Sequence, residues 1–255
     1  MKKILVLAFF ISFTLQATAY TFTDDFNRAS LGTTWLTWIE SSGGSSGISN
    51  NELFVNNDGE GVESTFVYSN LGASFYDTVL TLSGKLKFSS HNSTSTGFYM
   101  GLKATDASIS KDLRYWYTYG KGYGVHMYAG GSYYIMDESS ASNSGTLQAG
   151  SFALTTDGEQ EYEFEFVYGE NDLLEVRFWT VGSLRPESPS FSYTPQSDLN
   201  YSSIASENNL VFGVTDEGTL NIDDLLVTTT VIPEPSSLIL FGFCCLGIWV
   251  TWKKS

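Results

Sequence analysis

The clearest pattern in the chain is a strict alternation of aromatic and acidic residues in its second half. In residues 162–166 (YEFEF) the aromatic side chains share one face and the glutamates share the other, which predicts a strand with one buried face. After turn residues at 169–172, residues 174–179 alternate again. The two segments predict a β-hairpin in which Glu175 and Arg177 point outward, so that an acid-base pair across the strands is expected.

Short runs rich in Val, Phe, Tyr and Thr recur elsewhere, separated by clusters of Gly, Ser, Asn and Asp, and they lack a 3.6-residue period. The further strands predicted in this way cover residues 65–68, 79–88, 97–104, 115–119, 125–129, 210–214 and 225–230. Ten or more strands in one domain indicate two packed sheets. The predicted fold is therefore an all-β, antiparallel sandwich.

The N-terminus carries a continuous apolar run instead of an alternating one. Residues 1–19 begin with two lysines after the initial Met, continue with an apolar run over 4–15 and end in Ala-Thr-Ala. This order is typical of a secretory signal peptide, and it predicts cleavage by signal peptidase before Tyr20. An uncleaved anchor is disfavoured, because about 12 apolar residues are too few to span a bilayer.

A second apolar run covers residues 238–252 and is followed by Lys253 and Lys254. As a helix it would reach about 22 Å, a thin span against a hydrocarbon core of about 30 Å. Pro233 and Pro235 end any preceding strand, and the two lysines favour the cytoplasmic side. We therefore expect one short transmembrane helix over 238–252, with the body of the protein outside the membrane.

Residues 231–255 together resemble the PEP-CTERM sorting signal, which combines a Pro-Glu-Pro tripeptide, a hydrophobic helix and a basic C-terminal cluster. Pro233, Glu234 and Pro235 match the tripeptide, and Lys253 and Lys254 match the basic cluster. The resemblance implies recognition by an exosortase-type membrane enzyme, membrane anchoring before processing, and delivery to the cell envelope or an extracellular matrix. The chain departs from the family in its two cysteines within the helix and in having fewer basic residues.

Residues 20–230 are long enough for one domain with its own core. Three features of this region resemble the first and last strands of concanavalin A-like and laminin G-like jelly rolls: residues 24–28 (DDFNR), Trp35 and residues 221–225 (NIDDL). The resemblance implies a jelly-roll sandwich in which the first strand pairs near the last and the loops remain free for binding.

Charge and cysteine content narrow the classes of partner. Residues 20–232 contain nine basic and 27 acidic residues, a net charge of −18, which disfavours nucleic acid as a partner. Both cysteines, Cys244 and Cys245, lie in the C-terminal apolar run. The body therefore has no disulfide and depends on packing for its stability.

Patterns of catalytic residues occur, but in unfavourable settings. Glu161, Glu163 and Glu165 have the spacing of the Glu-x-Asp-x-Glu strand of some jelly-roll glycosidases, with Glu163 in place of the central Asp. Residues 43–47 (GGSSG) match a nucleophile elbow but lie in a Gly/Ser loop. His91 and His126 are the only histidines, and their spacing supports neither a catalytic triad nor a metal site. We expect no catalytic residue.

Several loops offer oxygen ligands for calcium, although none has a complete ligand spacing. These loops are residues 56–60 (NNDGE) and 216–218 (DEG), and the aspartate pairs at 24–25 and 223–224. Turn formation by the same side chains is the alternative explanation. No cofactor is expected, and Ca²⁺ is the one candidate.

Aromatic residues are dense between positions 115 and 134. Trp116, Tyr117, Tyr119 and Tyr123 are the predicted glycan-binding residues, because exposed rings stack on sugar faces and phenol groups bond to hydroxyls. The alternative is that the rings fill a sheet interior.

Together these features predict a non-enzymatic exported surface or matrix protein, delivered by its sorting signal, whose domain binds extracellular polysaccharide. A secreted polysaccharide hydrolase is the alternative, and it would need two carboxyl groups about 5 to 10 Å apart in a cleft. A purely structural role would need neither that pair nor an aromatic platform.

Overall fold

The computed structural model describes residues 19–39, 43–58, 64–71, 78–90, 96–103, 122–137, 146–169, 173–194 and 209–231. Within these ranges the regular structure consists of fifteen strands. They are β1 (Thr21–Asp24), β2 (Leu36–Ile39), β3 (Gly44–Ser49), β4 (Glu52–Asn57), β5 (Ser64–Asn70), β6 (Thr78–Ser90), β7 (Gly97–Lys103), β8 (Gly122–Tyr128), β9 (Ser132–Asp137), β10 (Thr146–Ser151), β11 (Tyr162–Tyr168), β12 (Leu174–Thr180), β13 (Phe191–Tyr193), β14 (Asn209–Thr215) and β15 (Gly218–Val231). These ranges hold no helix with the length and apolar character needed to cross a membrane.

The strands form two antiparallel sheets. Seven strands of the eight-stranded sheet follow the order β13-β12-β11-β6-β15-β4-β3. The eighth strand, β1, lies outside this order and pairs with β15. The seven-stranded sheet has the order β10-β9-β8-β7-β14-β5-β2. This arrangement confirms the predicted all-β fold with two antiparallel sheets.

Each strand predicted within the described residues is present, with shifted ends. The largest difference is in the last strand, which was expected over 225–230 and which runs from Gly218 to Val231. The strand predicted over 115–119 lies outside the described residues. Several strands escaped prediction because their sequences are short or rich in Gly and Ser, as in β3 (GSSGIS) and β10 (TLQAGS).

One main core fills the space between the sheets. On β11 the side chains of Phe164, Phe166 and Tyr168 are buried, as the alternating pattern predicts. At one edge of the sandwich the ring of Tyr133 from β9 stacks on that of Phe191 from β13, with centroids 3.9 Å apart, which joins the two sheets. All fifteen strands lie within residues 20–231, so this part of the chain contains the whole described core.

The predicted hairpin of β11 and β12 is present, and its acid-base pair is confirmed. Glu165 lies opposite Arg177, with 3.2 Å between Oε1 and Nη1, and Arg177 also bonds to Glu175 at 2.8 Å. Arg185, from the loop after β12, forms a second ion pair with Glu165. The loop is thereby held against the eight-stranded sheet.

Strand β15 brings together segments from distant parts of the chain. It pairs with β6 from Gly218 to Val231, while its other edge pairs first with β4 and then with β1. The change of partner coincides with a register shift between Asp223 and Leu226, where Asp224 has a φ of 48°. The pairing of first and last strands, which the jelly-roll resemblance implied, is therefore present.

The carboxylate of Asp24 anchors the end of β1. Asp24 is 7% exposed, and its Oδ1 accepts hydrogen bonds from the Phe26 N–H at 2.9 Å and Arg28 Nη1 at 2.5 Å. Its Oδ2 accepts from Arg28 Nη2 at 2.7 Å and Trp35 Nε1 at 2.8 Å. Trp35 in turn packs on Phe212 of the seven-stranded sheet, with ring centroids 5.8 Å apart. The carboxylate therefore links β1, a strand of the eight-stranded sheet, through Trp35 to the seven-stranded sheet.

Burial by itself would raise the pKa of Asp24, but the hydrogen bonds from Arg28, Trp35 and the Phe26 N–H outweigh burial and hold that pKa below its ordinary value. Because the folded state has the lower pKa, this carboxylate stabilises the fold above its ordinary pKa. That contribution disappears as the pH falls through the lowered value.

We expect Asp24→Asn to lower the free energy of unfolding by about 2–3 kcal/mol at pH 7, because it removes the charge that Arg28 and Trp35 bind. Urea unfolding of residues 20–231 measures this loss. Asp25→Asn is the matched control, since that neighbouring carboxylate is exposed. The difference in free energy of unfolding between Asp24→Asn and the natural protein should shrink below pH 4. Equal losses in both variants would show that the anchor is not at Asp24.

Candidate functional site

One face of the seven-stranded sheet is directed toward the core, and the other, the outer face, is directed away from it. Alternate residues of its strands form this face, as the cross-strand register and the division between the two apolar clusters show. Its members with described side chains include Leu36, Phe66, Tyr68, Gly97, Tyr99, Gly101, Gly124, His126, Tyr128, Tyr134, Asn209, Val211, Gly213 and Thr215.

The outer face carries a second apolar cluster, separate from the main core. Phe66, Tyr99 and Val211 are at most 1% exposed, and the partly buried Tyr68 and Tyr134 pack against them. A sheet face in contact with water is normally polar. The outer face therefore differs from an ordinary solvated sheet surface.

Glycines on the outer face leave space that neighbouring side chains fill. Gly101 and Gly124 are directly opposite each other, and a Cβ on Gly101 would lie 2.6 Å from the Cα of Gly124 and from the hydroxyl oxygen of Tyr99. A Cβ on Gly97 would lie 2.7 Å from Nε2 of His126. The side chains of Tyr99 and His126 thus occupy space that only glycine leaves open.

Three aromatic rings form a row across β8 and β9. The ring centroid of His126 is 4.2 Å from that of Tyr128, and Tyr128 meets Tyr134 edge to face at 5.6 Å. Nε2 of His126 lies 3.2 Å from the Thr215 hydroxyl, and burial lowers the pKa of His126 to about 4. The histidine is therefore neutral at neutral pH, while the rings of Tyr128 and Tyr134 remain partly exposed.

Of the four predicted glycan-binding residues, only Tyr123 lies in the described part of the chain. Its side chain is fully buried in the main core, with its ring 5.6 Å from that of Tyr168, so its face is not open to a sugar. Trp116, Tyr117 and Tyr119 lie outside the described residues and remain predictions. They belong to the connection between Lys103 and Gly122, which are cross-strand partners at one end of the outer face.

Sequence reasoning missed Tyr134 and the role of His126. Alternation within β8 and β9 contained the signal, since Tyr123, Val125 and Met127 form one set and Gly124, His126 and Tyr128 the other. The pattern separates the sets but does not say which one faces the core.

The glutamates considered for catalysis lie on or beside β11, in the eight-stranded sheet. Both oxygens of Glu165 are bonded to arginines, Oε1 to Arg177 and Arg185 and Oε2 to Arg185. Glu163 is paired in register with Lys85. A carboxylate held by two guanidinium groups is a poor nucleophile and a poor general acid, so this arrangement does not favour glycoside hydrolysis.

The candidate calcium loops are mostly engaged in internal contacts. A groove of about 510 Å³ lies beside Asp24, Asp25 and Asp224, but Asp24 is bound to Arg28 and Trp35, and Asp224 to Lys85 at 2.5 Å. Among the described residues, no three His, Cys, Asp or Glu side chains are grouped to hold a metal ion. Gly59 and Glu60 lie outside the described part of the chain.

Solved structures similar to this one include several lectins. A peanut lectin in complex with a nine-residue peptide has a TM-score of 0.57 at 11% identity over 86% of this chain and 100% of the lectin. A Bauhinia forficata lectin in complex with GalNAc has a TM-score of 0.56 at 10% identity, and the match covers 84% of this chain and 99% of the lectin. Lectin I of Ulex europaeus, in complex with the methyl glycoside of α-L-fucose, has a TM-score of 0.56 at 13% identity. The match covers 83% of this chain and 98% of the lectin.

These similarities show the fold, which is a lectin-type, concanavalin A-like jelly roll, as the sequence resemblance implied. No protein-family model and no curated protein sequence matches the chain. The predicted signal peptide, the Pro233-Glu234-Pro235 tripeptide, the helix over 238–252 and the terminal lysines fall outside the described residues and remain predictions.

We expect the free energy of unfolding to fall by about 2 kcal/mol between pH 7 and pH 5 through His126 alone, because the unfolded chain takes up a proton near pH 6.5 while the buried ring does not. The stability is present above the unfolded pKa and declines as the pH falls toward 4. Urea unfolding of the natural protein and of His126→Gln at both pH values measures the difference. His91→Gln, at the other histidine, is the control and should retain the full pH dependence; the same slope in both variants would contradict the assignment.

Proposed function

We propose that this protein is a non-enzymatic, exported glycan-binding module that recognises polysaccharide through the outer face of the seven-stranded sheet. The observation that carries the proposal is the row of His126, Tyr128 and Tyr134, in which two partly exposed phenol rings continue from a buried histidine that lies within hydrogen-bond distance of the Thr215 hydroxyl.

The chemistry of the row suits a sugar. Pyranose rings have an apolar C–H face that stacks on aromatic rings and a hydroxyl rim that needs hydrogen-bond partners. Tyrosine supplies both, since its ring is flat and its hydroxyl donates and accepts. The glycines at positions 97, 101 and 124 leave room for the side chains of Tyr99 and His126 to lie flat against the sheet beside the two phenol rings.

The lectins with the same fold provide a second line of support. Two of them are in complex with a saccharide, GalNAc in one and an α-L-fucoside in the other. At 10–13% identity the likeness extends to the fold and not to the residues of a site. The proposal therefore depends on the residues of this chain.

We further propose that the module is delivered by its C-terminal signal. The Pro233-Glu234-Pro235 tripeptide, the apolar run over 238–252 and the basic end at Lys253 and Lys254 support recognition by an exosortase-type enzyme. The signal-peptide pattern over residues 1–19 supports export. The protein would be anchored in the membrane first and then released to the envelope or to an extracellular polysaccharide matrix.

We expect Tyr134→Ala to weaken binding to a neutral polysaccharide by about tenfold, because it removes one stacking ring. Affinity electrophoresis of residues 20–231 in gels containing the polysaccharide measures the change, with reducing-end release monitored in parallel. Trp179→Ala is the matched control, since Trp179 is a partly exposed aromatic residue on the opposite sheet. Equal binding by the natural protein, Tyr134→Ala and Trp179→Ala would place the site elsewhere. Release of reducing ends would support the alternative function, a polysaccharide hydrolase.

We expect deletion of residues 233–255 to shift the exported protein from the membrane fraction to the culture medium. In a host that has an exosortase, the full-length protein is expected to move to the medium in the same way once its C-terminus is processed. Replacing both Pro233 and Pro235 by alanine should prevent this processing and keep the protein in the membrane fraction. Fractionation and mass spectrometry of the mature C-terminus measure the outcome. An unprocessed C-terminus in such a host would contradict the sorting proposal and leave the binding proposal intact.

A further inference from the structure

The first and last described strands bring the two ends of the domain together. Strand β1 is antiparallel to β15, so that Thr21, at the start of β1, lies opposite Thr228, near the end of β15. The contact continues beyond this pair, because the Tyr20 N–H donates to Thr229 Oγ1 at 2.9 Å and the Thr229 N–H donates to the Tyr20 carbonyl oxygen at 3.0 Å. The Tyr20 hydroxyl also donates to the Leu71 carbonyl oxygen at 2.6 Å. Residues 20 and 229 are therefore held side by side.

The same strand directions define two ends of the sandwich. At the terminal end β1 begins and β15 ends, and at the distal end β14 is followed by β15 through residues 216–217. Leu71 comes directly after β5, so its bond to Tyr20 places the end of β5 at the terminal end. Strands β5 and β7 are both antiparallel to β14, and β8 is antiparallel to β7. Strand β8 therefore begins at the terminal end with Gly122 and finishes at the distal end with Tyr128.

The row of His126, Tyr128 and Tyr134 lies in the distal half of the outer face. Tyr128 is opposite Gly97, the first residue of β7, and His126 is opposite Tyr134 two positions further in. Tyr128 follows Gly122 by six residues, which is about 20 Å along a strand. The two partly exposed rings are thus well separated from the terminal end.

Both apolar runs that are predicted to enter the membrane are tied to the terminal end. The run over 238–252 begins seven residues after Val231, the last residue of β15, and a chain of that length reaches at most about 25 Å. In the precursor, the run over 4–15 ends five residues before Tyr20, a reach of at most about 18 Å. Two short connections that leave from neighbouring points hold the terminal end close to the bilayer.

The distal end carries five acidic side chains. They lie in the turn between β14 and β15, after β4, and beside the end of β6, where residue 157 forms a bridge with Ser89. All five are at least partly exposed: Asp58, Asp157, Glu159, Asp216 and Glu217. Such a surface is repelled by anionic lipid headgroups. Charge therefore favours an orientation in which the distal end is away from the membrane.

Resting on the proposed membrane anchoring and glycan binding, we infer that the terminal end of the sandwich faces the membrane in the anchored protein, and that the outer face presents Tyr128 and Tyr134 away from it. The lipid surface is the partner of the terminal end, and polysaccharide reaches the row from the distal end. Removal of the C-terminal helix then changes the location of the domain and leaves its affinity for polysaccharide the same.

Energy transfer from single fluorescent labels to a rhodamine-labelled lipid tests the orientation. The domain has no cysteine, so residues 20–255 with Cys244 and Cys245 replaced by alanine accept one label at a chosen site. Thr21→Cys labels the terminal end, and Ser151→Cys, at another exposed hydroxyl residue, labels the distal end. In phosphatidylcholine vesicles we expect transfer at least about twofold more efficient from position 21, since the ends are about 30 Å apart along the strands. Equal transfer, or more efficient transfer from position 151, would overturn the orientation.

A circular permutant that moves the anchor to the distal end is the matched control. A short linker joins Val231 to Tyr20, because the adjoining residues are already hydrogen-bonded, and the chain is opened between Asp216 and Glu217. With residues 232–255 attached after Asp216, transfer should become more efficient from the distal label than from the terminal one. If the permutant does not fold, the two labels on the natural sequence still decide the orientation.

Binding in the anchored state is the second readout, and its probe is the polysaccharide that binds residues 20–231 in affinity electrophoresis. The vesicle-bound natural protein should bind it as tightly as the released domain does. The vesicle-bound permutant should bind it at least about tenfold more weakly, because its row of rings then faces the lipid. Weaker binding by the vesicle-bound natural protein than by the released domain would contradict the outward presentation of the row.

The outcomes separate this inference from the proposals on which it rests. If residues 20–255 do not float with vesicles, membrane anchoring is wrong and the orientation is wrong with it. If transfer is more efficient from position 21 but no polysaccharide binds, the orientation is supported and the glycan-binding proposal is wrong. If polysaccharide binds and transfer is equal from both labels, the orientation alone is wrong.

Discussion

The pairing of β15 with three other strands is the interaction on which the remaining architecture depends. One edge of β15 pairs with β6 along its whole length, and the other is divided between β4 and β1, which come from the beginning of the domain. The division requires a bulge at Asp223 and Asp224. The adjoining end of β1 is held by Asp24, whose carboxylate reaches Trp35 and through it the second sheet. Loop-closure entropy opposes contacts so distant in sequence, so a topology that depends on them is expected to fold slowly.

The two sheets use their outward faces differently. The eight-stranded sheet has an ordinary solvated face on which charges pair across strands, as in Lys87 with Glu52 and Arg177 with Glu165. The described outer face of the seven-stranded sheet instead has aromatic rings and glycines. Such a face costs stability, because glycines weaken strands and an unpaired buried amide is unfavourable. A surface that gives up stability in this way is typical of a binding site.

The same fold supports recognition and catalysis in different proteins, so the residues must decide between them. Here Glu165, one of the three glutamates with the spacing of a glycosidase, is part of an ion-pair network that holds the loop after β12. Their alternation on β11 reflects a strand with one wet face. The partly exposed rings of Tyr128 and Tyr134 lie on the other sheet, on the face that points away from the core.

The sequence by itself determined the strands with clear alternation, the hairpin of β11 and β12 with its Glu165–Arg177 pair, and the two-sheet sandwich, because a period of two specifies a half-buried strand. Its two ends also predict export and sorting, and these predictions concern residues outside the described part of the chain. Only the tertiary structure decided that Tyr123 is a core residue while Tyr134 lies on the outer face, and that Asn209 is opposite Lys103. Alternation divides a strand into two faces but does not identify the buried one, and register between β7 and β14 arises from pairing across more than one hundred residues. Which residues form the core and which form the outer face therefore depends on contacts that no local pattern records.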